Sequence, residues 1–181
     1  MKRVLITGMS GVGKSTVIAA LGARGFRAID ADEDDLSEIV PVDSDEPTGL
    51  DPGQDWVWRE DRIQALLSAA DADVLFLGGC SPNQGTFDPQ FDAVILLSAP
   101  ADVIVQRLTT RTNNPYGKRP EDIARTQALL ETIEPLLRQG CTHEIVTTIS
   151  DEEVMERVLE TVAEGRSPEV FRSFSRELTP A

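Results

Sequence analysis

The chain has few of the residues that build disulfide frameworks and histidine-rich metal sites. Its 181 residues include two cysteines and one histidine. Cys80 and Cys141 are too far apart to form a CxxC pair, so we expect neither a disulfide scaffold nor a zinc site. His143 begins an apolar, strand-like run, which favours a structural role. These absences together predict a reduced, cytoplasmic protein.

Long apolar runs and an excess of positive charge are also missing. No stretch of about 18 apolar residues occurs, so no membrane span is expected. The first residues enter a strand pattern at once, which leaves no room for a signal peptide. The formal net charge of -14 disfavours nucleic acid and anionic membranes as partners. The length predicts one domain over residues 1–165, with a polar tail at 166–181.

Residues 8–15 read GMSGVGKS, which is the G-x-x-x-x-G-K-S pattern of a phosphate-binding P-loop. A β-branched run at 3–7 precedes it and a helical pattern at 15–21 follows it, as a true P-loop requires. We expect Lys14 to reach the outer phosphates of a nucleotide and the hydroxyl of Ser15 to ligate Mg²⁺. The nucleotide-binding residues predicted here are Gly8, Ser10, Gly11, Val12, Gly13, Lys14, Ser15 and Thr16.

Strand and helix patterns alternate along the rest of the chain. The predicted strands lie at 3–7, 26–30, 73–77, 92–97 and 144–148. Helices are expected between them, at about 55–70, 100–111 and 120–138, with a last one at 151–163; Pro135 is a site where the third can kink or split. The acidic stretch 31–55 is interpreted as a loop or small insertion. This order predicts a three-layer α/β P-loop fold with a five-stranded parallel sheet.

Candidate acceptor residues follow the ends of two predicted strands, at the sheet edge where ligands gather in such folds. Asp30 and Asp32 can hold Mg²⁺ through water or accept a proton from an attacking hydroxyl. Gly78 and Gly79 allow either a close backbone approach to a ligand or tight packing on the P-loop helix. No acid follows that strand, which disfavours a motor or switch ATPase.

Basic residues flank a turn-rich segment later in the chain. Arg107 and Arg111 lie four residues apart, on one face of a helix, and Arg119 follows the turn. Such a cluster predicts a lid at about 111–120 that closes over a transferring phosphate, with Arg111 and Arg119 in catalytic roles and Arg107 on the nucleotide. The alternative is a surface helix whose arginines form salt bridges with Glu121 and Asp122.

Taken together, these motifs resemble shikimate kinase over residues 1–163. The resemblance rests on the P-loop, Asp30/Asp32, Trp58-Arg59, Gly78-Gly79 and the arginine-bearing lid. It implies a nucleoside-monophosphate-kinase-like fold and Mg²⁺-dependent transfer of the γ-phosphoryl group of ATP. By this resemblance Lys14 neutralises the transferring phosphate, Asp32 handles the acceptor hydroxyl, Arg59 anchors the acceptor, and Asp30, Gly78 and Gly79 line its site. Ser15, Asp30 and Asp32 are the implied metal ligands.

The chain departs from this family at two places. Cys80 stands where shikimate kinases have a third glycine, and residues 132–136 lack their acceptor-binding arginine. The paired tryptophans of residues 55–58 are similar to gluconate kinase. Gly79-Cys80 and residues 105–111 are similar to the small adenylate-kinase relatives with short lids.

Three functions therefore stay open on the sequence. The first is a kinase acting on a hydroxyl of a small molecule, the second a nucleoside-monophosphate kinase, and the third a nucleotide-binding switch or ATPase. Between Ala28 and Trp58 there are eleven acids and no lysine or arginine. If this segment lines the acceptor site, its charge favours a neutral or cationic acceptor; the alternative is a solvated loop turned away from the site.

Overall fold

The structure is a computed structural model that describes residues 1–32, 35–43, 48 and 50–163. The tail predicted at 166–181 lies outside the described residues. The strands are β1 (Lys2–Thr7), β2 (Arg27–Asp30), β3 (Ser37–Pro41), β4 (Gln54–Trp58), β5 (Val74–Gly78), β6 (Ala93–Ser98) and β7 (His143–Val146). The helices are α1 (Lys14–Ala23), α2 (Glu60–Ser68), α3 (Ala101–Thr110), α4 (Pro120–Thr132), α5 (Glu134–Gly140) and α6 (Asp151–Ala163).

Five of the strands form a parallel sheet in the order β2-β5-β1-β6-β7. The predicted α/β fold with a five-stranded parallel sheet is confirmed. β1 is central because its apolar side chains supply both faces of the sheet. Val4 and Ile6 pack with α1 and α6 on one face, whereas Leu5 packs with α2 on the other. Because both faces are covered, the ligand-accessible part of this sheet is its edge at the strands' carboxyl ends.

The stretch interpreted as an acidic loop followed by a helix at 55–70 is different in the structure. β3 and β4 pair antiparallel from Ser37↔Trp58 to Pro41↔Gln54 and form a separate two-stranded sheet. The helix begins only at Glu60. A strand is favoured at 54–58 because it buries Trp58, which is 1% exposed, beside Phe87 in the core.

The helix expected at 120–138 is divided at Pro135. α4 ends at Thr132 and α5 begins at Glu134, with Pro135 in its first turn. The ring of proline removes a backbone donor and fits the first turn of a new helix better than the interior of a long one. The described residues include no helix with the length and apolarity needed to span a membrane.

Candidate functional site: a phosphate-binding cleft

The P-loop connects β1 to α1 and winds through backbone conformations that favour glycine. Gly8, Gly11 and Gly13 have φ angles of 141°, 89° and 102°. Gly8 also lies very close to the neighbouring strand β6, since a Cβ atom at residue 8 would be 2.2 Å from the carbonyl oxygen of Leu97. The loop leads directly into the start of α1 at Lys14, where the helix dipole favours an anion.

Lys14 folds back over this loop. Its ammonium donates hydrogen bonds to the carbonyl oxygens of Gly8 at 2.7 Å and Met9 at 3.2 Å. The cation is therefore held above the glycine-rich turn, where the outer phosphates of a nucleotide would lie. Ser10, Ser15 and Thr16 are exposed and leave their hydroxyls accessible beside it.

The loop forms the floor of a cleft of about 1080 Å³. Its walls combine α3 and the segment after it with the hairpin strand β4, the segment after β5, and the α4–α5 junction. Among the described residues, the cations that line the cleft are Lys14, Arg107 and Arg111. Every predicted P-loop residue from Gly8 to Thr16 also lines it.

Arg107 spans from α3 to the segment that follows β7. Its guanidinium donates to Thr147 Oγ1 at 2.9 Å, to the carbonyl oxygen of Thr147, and to that of Gly11 at 3.4 Å. Arg107, which was predicted to contact the nucleotide, thus links the P-loop to the segment that follows β7.

Arg111 lies at the start of the segment predicted as a lid. One of its terminal nitrogens donates to the carbonyl oxygen of Tyr116 at 3.0 Å, while its buried Nε has no hydrogen-bond partner among the described residues. Burial lowers the pKa of the Arg111 guanidinium, although Tyr116 acts in the opposite direction. A partly desolvated cation with an unused donor is suited to an anionic ligand.

Arg119 does not line the cleft; its guanidinium is engaged at the base of the lid segment. It donates to Asp122 Oδ1 at 2.8 Å and to Asp51 Oδ1 at 3.4 Å. The Asp122 side chain is 3% exposed and also accepts from the backbone N–H of Gly117 at 3.1 Å. These hydrogen bonds, first among them that from Arg119, hold the pKa of Asp122 below its ordinary value. In this conformation Arg119 forms the salt bridge with Asp122 that the sequence left open as an alternative.

Asp30 is the last residue of β2 and Asp32 follows it, and neither of these two predicted site residues lines the cleft. Asp30 is 7% exposed, and its Oδ1 accepts the N–H of Asp32 at 3.0 Å. Asp32 Oδ1 accepts the indole N–H of Trp56 at 3.0 Å. Desolvation raises the pKa of Asp32, the positive charge of Lys14 opposes this, and the negative charge of Asp30 adds to it. The carboxyl group is therefore within electrostatic range of Lys14.

Arg59, expected to anchor the acceptor, is directed elsewhere in the structure and does not line the cleft. It precedes α2 and lies 3.5 Å from Asp35 Oδ1 and 3.8 Å from Glu38 Oε2. Asp35 also pairs with Arg62 at 2.9 Å. Acids before and within β3 therefore lie close to both arginines, while the buried Nε of Arg59 has no hydrogen-bond partner among the described residues.

Gly78 and Gly79 are both buried by close packing. A Cβ atom on Gly78 would lie 2.4 Å from Ile18 Cγ1 on α1, and one on Gly79 would lie 3.0 Å from Ala31 and 3.1 Å from the Trp58 ring. Packing on the P-loop helix, one of the two interpretations of this pair, therefore accounts for Gly78. The chain reaches the cleft immediately afterwards, at Cys80.

Several residues in or beside the cleft were not among the predicted site residues. Thr7, at the end of β1, donates to Gln84 Oε1 at 3.0 Å and so attaches the segment after β5 to the P-loop strand. Gln84, Asp88 and the hairpin residues Asp55 and Trp56 all line the cleft. The paired tryptophans of 55–58 were the one sequence signal for part of this wall. Nothing local in the sequence marks Gln84 or Asp88.

Comparisons with known proteins agree with this architecture. A shikimate kinase from Acinetobacter baumannii, in complex with shikimate, is 19% identical and superposes with a TM-score of 0.61, over 92% of this chain and 95% of that one. A gluconokinase from Sinorhizobium meliloti 1021 is 20% identical with a TM-score of 0.60, over 95% of this chain and 97% of that one. A sugar kinase from Janibacter sp. HTCC2649 is 23% identical with a TM-score of 0.53, over 88% of this chain and 93% of that one. At these identities the similarity establishes the fold.

A search among curated proteins found no match. A family model described as "AAA domain" (AAA_18) matches residues 4–129, which include the P-loop, Asp30, Asp32 and the lid segment. Since this match spans more than half of the chain, the protein with this phosphate-binding cleft belongs to the AAA_18 family of AAA domains.

Proposed function

We propose that the protein is a kinase that transfers the γ-phosphoryl group of ATP to a hydroxyl group of a small molecule. The observation that supports this most directly is the position of Asp32. Its carboxyl is fixed by Trp56, which lines the cleft, and lies within electrostatic range of Lys14 on the P-loop. A carboxylate within electrostatic range of the phosphate-binding cation is what a hydroxyl-directed phosphoryl transfer needs.

The acceptor hydroxyl oxygen forms a bond to the γ-phosphorus, the bond from that phosphorus to the β-phosphate oxygen breaks, and ADP leaves. The hydroxyl proton passes to the Asp32 carboxylate. Lys14 and the loop N–H groups hold the phosphates in line, and Arg111 supplies positive charge from the opposite wall.

Mg²⁺ fits the donor set of this site as a partner of the nucleotide. The described residues contain no group of three or more His, Cys, Asp or Glu side chains that could hold a metal unaided. Mg²⁺ in phosphoryl-transfer sites commonly takes one or two protein oxygens together with phosphate oxygens and water. Ser15 would supply its hydroxyl, and Asp30 and Asp32 their carboxylates through water. The ion would neutralise charge on the phosphates.

Arg119 takes a different role in this proposal from the one the sequence suggested. Because it is bound to Asp122 and Asp51, we assign it to holding the base of the lid segment. Arg107 and Arg111, which line the cleft, are the arginines assigned to the nucleotide.

The test is ADP formation from ATP and Mg²⁺ with a panel of sugars, shikimate, gluconate, nucleosides and nucleoside monophosphates. We expect stimulation by a small hydroxyl compound and a loss of about 10²–10⁴-fold in kcat for Asp32→Asn, the usual contribution of a positioned acid–base group. Asp61→Asn, an exposed acid in the first turn of α2, is the matched control and should keep full activity. Stimulation by monophosphates alone would assign a nucleoside-monophosphate kinase. ADP formation that no acceptor stimulates, and that Asp32→Asn leaves unchanged, would assign a switch or ATPase.

A further inference from the structure

The segment that follows β5 is held by hydrogen bonds on two sides. At the end of β4, the backbone N–H of Trp58 donates to Ser81 Oγ and to Asn83 Oδ1, both at 3.1 Å. The carbonyl oxygen of Trp58 accepts from Asn83 Nδ2 at 2.9 Å. On the other side, Thr7 Oγ1 donates to Gln84 Oε1 at 3.0 Å. The segment therefore connects the hairpin to β1, the strand that precedes the P-loop, and Gln84 makes the contact with β1.

The carboxamide of Gln84 is fixed at its oxygen and unused at its nitrogen. Gln84 is 7% exposed and lines the cleft, and its partner Thr7 is 0% exposed. The oxygen accepts from Thr7, whereas no acceptor among the described residues takes a hydrogen bond from the amide nitrogen. That nitrogen carries two N–H donors. Because so little of the side chain reaches water, a ligand in the cleft is the natural partner of these donors.

The position of Gln84 favours the outer phosphates of a nucleotide as that ligand. Thr7 is the last residue of β1 and directly precedes Gly8, whose carbonyl oxygen accepts from the Lys14 ammonium at 2.7 Å. Cys80, which precedes Gln84 in the same segment, also lies beside this cation. Burial raises the pKa of the Cys80 thiol, and the positive charge of Lys14 opposes the rise. The segment therefore lies along the part of the P-loop that holds Lys14.

We propose, resting on the kinase function above, that Gln84 binds the γ-phosphoryl group of the nucleotide and that Thr7 positions its carboxamide. The amide nitrogen donates to a γ-phosphate oxygen beside Lys14. Hydrogen bonds to a charged acceptor are stronger than those between neutral groups. Because Thr7 already holds the carboxamide oxygen, little side-chain freedom is lost when the nucleotide binds. ADP has no γ-phosphate, so Gln84 makes the site discriminate between ATP and ADP.

Nucleotide affinity tests this proposal without an acceptor. The probes are the ATP analogue AMP-PNP, which keeps a γ-phosphate and resists hydrolysis, and ADP, each titrated with Mg²⁺ by calorimetry. We expect Gln84→Met to weaken AMP-PNP binding by about 10–100-fold, the usual effect of losing one hydrogen bond to a charged group, and to change ADP affinity by less than about twofold. Gln84→Glu should weaken AMP-PNP binding further, because a carboxylate repels the phosphate.

Gln90→Met is the matched control. Gln90 lies later in the same segment, exchanges two hydrogen bonds with Gln64 and does not line the cleft, so its loss should change neither affinity. Thr7→Val removes the hydroxyl that holds Gln84 and keeps the size of the buried side chain. It should weaken AMP-PNP binding less than Gln84→Met does, and it should have no further effect when combined with Gln84→Met. Additive losses would contradict the positioning role of Thr7.

The wild-type protein offers a second readout that needs no variant, the side-chain amide signal of Gln84 in a ¹⁵N-correlated NMR spectrum. This signal should shift when AMP-PNP is added and much less when ADP is added. If Gln84→Met weakens both nucleotides equally, or weakens neither, the assignment to the γ-phosphate is refuted and the kinase function stands. Selective weakening of AMP-PNP in a protein that phosphorylates no acceptor supports the assignment and counts against the kinase function. A wild type that binds neither nucleotide would refute both.

Discussion

Replacing Gly78 by alanine tests whether this glycine serves packing or ligand approach. The added Cβ would lie 2.4 Å from Ile18 Cγ1 and 3.0 Å from Ile18 Cδ1, whereas carbon atoms normally approach to about 3.5–4.0 Å. The Ile18 side chain is 5% exposed in the core against the sheet, so it cannot move away freely. We expect Gly78→Ala to lower the free energy of unfolding by about 1–3 kcal/mol, the usual range for overpacking.

A second substitution makes this expectation specific. Ile18→Ala alone should cost about 2–5 kcal/mol through the cavity it leaves. It removes both γ carbons and the δ carbon, and the remaining Cβ of residue 18 lies 3.7 Å from the new methyl group, which is ordinary contact distance. In the double variant the clash is therefore absent. It should be about as stable as Ile18→Ala alone, a coupling of about 1–3 kcal/mol.

The measurement is urea unfolding followed by circular dichroism, with the midpoint and slope determined for each variant. Gly22→Ala is the matched control within α1, since a Cβ there meets nothing within 4 Å; it should raise stability by about 0.5–1 kcal/mol. Strictly additive single effects would contradict the packing explanation. Unchanged stability of Gly78→Ala with weakened ATP or acceptor binding would show that the glycine serves the ligand.

Three further outcomes are expected. Asp122→Asn should lower the free energy of unfolding by about 1–3 kcal/mol, because the charge-assisted hydrogen bonds of a carboxylate that is 3% exposed are lost. The pKa of Asp122 is lower in the folded than in the unfolded protein. The ionised carboxylate therefore stabilises the fold above the unfolded pKa of about 3.9, and this stabilisation is lost as the pH falls through the folded pKa. The urea midpoints of the wild type and of Asp122→Asn should therefore converge toward acid pH. Trp58→Ala should cost about 3–5 kcal/mol through its large cavity, whereas Trp56→Phe should change the midpoint little and remove the hydrogen bond to Asp32. Arg111→Met should weaken ATP affinity at equilibrium while leaving the unfolding midpoint within about 0.5 kcal/mol of wild type, and loss of stability without loss of ATP affinity would contradict its assignment to the nucleotide.

The sequence predicted the sheet and the P-loop because both depend on local patterns. The β-branched run before Gly8 and the spacing of Gly8, Gly13 and Lys14 determine strand, turn and helix within a few residues. The five parallel strands follow from their alternation with helices.

The hairpin was missed because its pattern is not local. In β4, Asp55 and Trp58 are buried, while Trp56 and Val57 are only partly so, which gives no clear alternation of polar and apolar side chains. The strand is defined by its pairing with β3, which places Ser37 opposite Trp58. A period-2 signal is weak when both faces of a strand are partly covered.

The partners of the arginine side chains could not be predicted from the sequence either. Arg119 and Asp51 are brought together across the chain by the approach of the lid segment to the hairpin. The same applies to Arg59, whose partners Asp35 and Glu38 lie on the other side of β4 in sequence. Spacing places such residues on a helix or in a loop, but the charge they pair with depends on the tertiary fold.

The separation of the two sheets has a consequence for how this protein can diversify. The backbone pairing of β3 with β4 is made within the hairpin itself, while the phosphate loop depends on β1 and its neighbours. Substitutions at the cleft-lining hairpin residues Asp55 and Trp56 should therefore leave the register of the parallel sheet unchanged. A combinatorial library confined to these two positions and Asp88 would vary one wall of the cleft and leave the residues of the P-loop unchanged. Under the kinase function proposed above, assaying this library with alternative alcohols would show whether a single scaffold can serve different acceptors.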